Sequence, residues 1–193
     1  MSTFRLYFQL GIEHILDLQG FDHILFIIAL CALYTLRDWR KVLLLVTAFT
    51  LGHSITLALA TLNIVRVNSD LIEFLIPVTI LITAGTTVFR RQQGFSTGRG
   101  YTNYIYATVF GLIHGLGFSN YLRSLLGSGN LLKPLLAFNL GIEVGQILIV
   151  GGFLLIAGLL VVVAGVNRRE WSLGVSATIA GMAIMLILQN KIW

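Results

Sequence analysis

Charge is what this sequence has least of. Only 11% of its 193 residues are Asp, Glu, Lys or Arg, whereas a soluble domain carries about 25%, so a water-soluble globular fold is excluded. Cysteine occurs once, as Cys31 in an apolar run. No disulfide can close within one chain, and a buried, inert thiol is the expected state. The alternation of barrel strands is missing and the apolar runs are too long for them, which removes a transmembrane β-barrel. A cleavable signal peptide is not expected: Glu13, His14 and Asp17 stand where its apolar core would lie, and no small-residue cleavage site follows.

What fills the chain is apolar, 56% of it. A span needs about 20 mostly apolar residues. Runs at 21–36, 41–62, 70–89, 103–122, 134–164 and 172–190 predict an all-α, polytopic bundle of six transmembrane helices in a single integral membrane domain, 1–193. Residues 1–17 place Phe4, Tyr7, Phe8, Ile12, Ile15 and Leu16 on one face, with Glu13, His14 and Asp17 off it. They read as an interfacial helix ending at Gly20, or as the start of a longer first span. Pro77 is expected to kink the third span, and 90–100 and 167–171 read as loops.

The net charge of +5 does not point to nucleic acid, because the basic residues lie in short loops, where they set orientation. Arg37, Arg40, Lys41, Arg90, Arg91, Arg99, Arg168 and Arg169 fall on one side; Arg5, Arg66, Arg123, Lys133 and Lys191 fall on the other. The richer side is expected to be cytoplasmic, with both termini outside.

Polar residues inside the spans carry the chemistry. At about 1.5 Å per residue, His53, His114 and Glu143 each lie roughly 12–13 Å below the outer surface, on three different helices. Asp22 and His23 enter at the outer end of the first span, and Glu73 enters the third similarly, where it serves the helix dipole. Asn139, Glu143 and Gln146 make one stripe, and Thr47, Thr50 and Ser54 line up beside His53. The pairs Gly111/Gly115 and Gly141/Gly145 permit close helix contact. Any one of these histidines, taken alone, is as well explained by packing and a hydrogen bond. Together, with no Lys or Arg in the span centres, the carboxylates and imidazoles point to a bound metal or a proton path. Imidazole with carboxylate suits Zn, Ni, Co or Fe. The expected set is His23, His53, His114, Asp22 and Glu143, with Glu13 and His14 capping it from the N-terminal segment.

The blocks "GIEHILDLQGFDHILFIIAL" (11–30), "FTLGHSITL" (49–57), "FGLIHGLGF" (110–118) and "FNLGIEVGQ" (138–146) resemble the HupE/UreJ family of bacterial membrane proteins. Ile15 follows His14, where hydrogenase-linked members have proline, and the fourth span offers only His114. The chain is therefore similar to the broader second branch. The resemblance implies a nickel permease or metallo-enzyme accessory, with metal roles for Asp22, His23, His53, His114 and Glu143.

Three functions compete: metal transport or delivery; an intramembrane zinc-dependent hydrolase acting on a lipid or membrane-anchored substrate, with Asp22 or Glu143 as general base; and an assembly factor stabilised by metal. The partners expected are a divalent transition metal (Zn or Ni) and membrane lipids, not nucleic acid. Below His53 and His114, only Thr47, Tyr106, Gln146 and glycines stand out as lining for an inner path.

Overall fold

The computed structural model describes residues 2–89, 100–126 and 131–192. Among these there is no strand. The helices are α1 (Thr3–Ile15), α2 (Asp22–Cys31), α3 (Trp39–Thr61, preceded by a 3-10 turn at Leu36–Asp38), α4 (Ser69–Phe89), α5 (Gly100–Gly117), α6 (Ser119–Leu126), α7 (Leu132–Gly158, continued by a π turn at Leu159–Val163) and α8 (Arg168–Gln189). The expected loop at 90–99, with Arg90, Arg91 and Arg99, lies outside the described residues.

The helices differ in length from the six expected runs. Among the described residues, four helical segments are long and apolar enough to cross a membrane: Leu36–Thr61, Ser69–Phe89, Leu132–Val163 and Arg168–Gln189. The run at 21–36 yields only the ten-residue α2, about 15 Å of helix, half a bilayer. The run at 103–122 is interrupted after Gly117, where α5 gives way to α6.

Contacts explain the short α2. His23 stacks edge-on against His114, Phe26 lies 6.0 Å from Phe110, and Tyr34 accepts a hydrogen bond from Asn103. Thus α2 runs opposite to α5, from the level of His114 to that of Asn103. On the other flank, α1 meets α7 at Phe8/Gly141 and Ile15/Gly145, and Leu36 reaches Gly158. Residues 3–36 therefore cross the bundle beside α7 as one helix broken at 16–21. The N-terminal helix is a bundle member rather than an interfacial one: Tyr7, Gly11 and Ile15 are buried, while Phe4 is exposed.

Glycine sets the tightest approaches. A Cβ at Gly52 would collide with the Thr108 carbonyl, and one at Gly111 with the Phe49 carbonyl; Gly115 faces the His53 carbonyl in the same way. The contacts advance together along both chains, so α3 and α5 run in the same direction with their backbones touching. Gly11 and Gly141 do likewise for α1 and α7. The pairs read from sequence thus have partners: 111/115 on α3, 141/145 on α1.

Pro77 sits inside α4. It has no N–H for the Glu73 carbonyl, and the Asn190 side chain donates to that carbonyl at 3.2 Å. This pairing sets the end of α8 beside the start of α4. At the opposite end of the bundle, Arg168 donates to the Leu33 carbonyl at 2.6 Å.

Gly111→Ala should destabilise the folded bundle by roughly 1–3 kcal/mol, because two backbones would have to separate. Gly151, on α7 with open space around it, should tolerate Ala or gain about 0.5–1 kcal/mol. Reversible unfolding in mixed micelles separates the two. Equal effects would mean that α3 and α5 are not held by backbone contact.

Candidate metal centre

All four histidines of the chain meet. Glycine crossings carry two of them: Gly52 and Gly111 bring α3 against α5, and His53 follows Gly52 directly while His114 lies about one turn beyond Gly111. The α1–α7 crossing delivers His14 at the last turn of α1, and the 16–21 connector returns the chain so that α2 opens with Asp22 and His23. Ring centroids lie 4.7 Å apart for His14–His23, 6.0 Å for His23–His53, 6.1 Å for His14–His53 and 5.1 Å for His23–His114. His53 and His114 are 0% exposed and His23 is 5% exposed.

Two rings are oriented by partners. The Asp22 Oδ1 lies 3.0 Å from His23 Nδ1 and also accepts from the His23 backbone N–H. A carboxylate accepts only, so Nδ1 carries the proton and Nε2 keeps its lone pair. Thr79 donates its hydroxyl hydrogen to the Ile76 carbonyl at 2.7 Å, and its oxygen stands 3.0 Å from His114 Nε2. His114 must then donate from Nε2, which leaves the lone pair on Nδ1.

The nitrogens left over are the distinctive feature. His14 Nε2, His23 Nε2, both ring nitrogens of His53, and His114 Nδ1 are buried and make no hydrogen bond. Orphaned polar atoms are costly in an apolar interior, and here they cluster. One ligand atom each from His14, His23 and His53 lies within 4.8 Å of the others. Two imidazoles on one tetrahedral ion stand about 3.4 Å apart, given Zn–N bonds of about 2.0–2.1 Å, so small side-chain movements suffice to close the trio. The donor set fits a borderline transition metal. Aromatic rings enclose it: Phe118 and Phe138 stack on each other beside His14, while Phe26 and Phe49 lie against His114.

The expected members are distributed unevenly. His23 and His53 come together with His14, which the sequence placed only as a cap. His114 adjoins His23 but is outside the closest trio. Asp22 orients His23. Glu143 is not gathered with the imidazoles; it accepts from Thr47 Oγ1 at 2.5 Å, while Thr50 donates to Gln146. These bonds draw the α7 stripe onto α3, nearer the α3 N-terminus than His53. Glu13 is exposed and accepts from Gln9. Sequence reasoning missed Thr79; its four-residue spacing from Thr83 and Thr87 is ordinary in a membrane helix and gives no signal by itself.

In the metal-free protein, 15N NMR should find the His114 proton on Nε2. Thr79→Val removes the acceptor, and the ring should then populate both tautomers. A wild-type ring protonated on Nδ1 would reverse the assignment.

No curated protein and no solved structure matches the chain. The family model described as "HupE / UreJ protein" matches residues 1–193, its full length. With its apolar helices and full-length match, the chain is a multi-pass membrane protein and belongs to the HupE/UreJ family, whose members take up or handle metal.

Proposed function

We propose that the chain transports or delivers a divalent transition metal, nickel or zinc, and that the ion is held first by His14, His23 and His53. The observation that carries this reading is the group of buried ring nitrogens with no hydrogen-bond partner. A lone buried histidine kept for packing finds a partner; here several lack one together, which suits an ion as the common partner. His114, beside His23, serves as the next ligand, and Asp22 holds the His23 ring in the tautomer that exposes Nε2. Glu143, held by Thr47, contributes a neighbouring carboxylate to the ion's passage. The protein sits in a bacterial inner membrane with the imidazoles in the outer half and both termini outside, in keeping with the excess of Lys and Arg on the opposite side.

The hydrolase reading has less support. Three imidazoles match the ligand count of a catalytic zinc, but a general base needs a disengaged carboxylate. Asp22 is bonded to His23 and Glu143 to Thr47.

His53→Ala should abolish bound metal in the purified protein while the bundle still inserts, as measured by elemental analysis at matched expression. A packing histidine would cost some stability and leave metal content unchanged; that result would sink the site. Asp22→Asn should weaken metal affinity about 10- to 100-fold, as loss of an orienting partner does. Unchanged affinity in equilibrium titration would remove Asp22 from the site.

A further inference from the structure

Inward of the imidazoles, the bundle closes on aromatic rings. Phe26 is 0% exposed and packs on His114, Phe49 and Phe110. Beyond this plug lies a half-open pocket of about 150 Å³, lined mostly by apolar side chains, with Tyr34, Thr83, Thr86, Thr87 and Asn103 as its polar part. One polar edge joins the two chambers. Thr79, Thr83 and Thr87 are all buried on one face of α4, and they follow one another at one-turn intervals. Thr79 touches His114, Thr83 donates to the Thr79 carbonyl at 2.8 Å, and Thr83 and Thr87 reach the cavity.

We propose that these α4 hydroxyls are the inner leg of the ion's route, taking a divalent cation from His114 past the Phe26 plug into the pocket. The inference rests on the transport reading above and adds the path that the sequence lacked. Its chemistry is suited to release. Hydroxyl and carbonyl oxygens hold a borderline metal less tightly than imidazole, and a conducting path needs sites weak enough to leave. Each hydroxyl that donates to its own helix still has lone pairs to offer.

The test separates binding from movement. The double variant Thr83→Val/Thr87→Val keeps side-chain shape and removes both hydroxyls; hydroxyls bonded to their own helix add little to its stability. Thr178→Val, on the exposed face of α8 with the same bond to its own helix, is the control. Nickel binding is titrated in detergent, and nickel uptake is followed in proteoliposomes. The double variant should bind nickel like wild type but take it up slower by about tenfold or more, since a cation stripped of polar partners in hydrocarbon is strongly disfavoured; the control should match wild type in both. Uptake at the wild-type rate overturns the path while leaving the metal site intact. So does a parallel fall in affinity and uptake, or loss of uptake in Thr47→Val alone, which would put the route on the α3–α7 face. A wild type that binds nickel but moves none overturns the path together with the transport reading.

Discussion

Bare backbone lying on bare backbone, at Gly52 and Gly111 between α3 and α5 and at Gly11 and Gly141 between α1 and α7, fixes where the remaining parts can go. Apolar side chains gain little by facing one another rather than lipid, so packing distance has to do the work in a membrane. Where glycine removes the side chain, two helices lock in a register that slippage would break. His53 is next to Gly52 and His114 about one turn from Gly111 at one crossing, and His14 is about one turn from Gly11 at the other. The distances among the imidazoles are inherited from these crossings. The polar bonds of Thr47 with Glu143 and Thr50 with Gln146 then tie the two pairs together.

Much of this was written plainly in the sequence. Long apolar runs predicted the helices, and the runs that hold His53 and His114 became α3 and α5. Residues 16–21 defeated this counting of runs. A helix broken in the middle shows two short, mixed segments, and α1 carries Glu13 and His14 on faces that imitate an interfacial helix. Only the partner α7 reveals that α1 is packed inside, and a partner is not legible in a single pattern. Glu143 shows a different limit of such counting. Its depth was judged along its own helix, but a long side chain goes where a donor is, and Thr47 supplied one.

The threonines of α4 were hidden by chemistry rather than geometry. In a membrane helix a Thr that bonds to its own backbone is ordinary, so a row of them carries no signal alone. The row acquires meaning from what stands at its ends: the His114 ring at one and the cavity at the other. The same holds for Asp22, which looks like a ligand in sequence and, in space, accepts a hydrogen bond from the His23 ring.

The break at 16–21 has a further consequence. His14 and His23 ride on separate helices, yet the connector between them is only a few residues long. Were an ion bound as proposed, capture by one imidazole would leave the other searching a volume no larger than its tether allows, and short flexible tethers correspond to effective concentrations of order millimolar. Under that reading the chain acts as its own chelator, with α3 and α5 bringing the remaining imidazoles within reach.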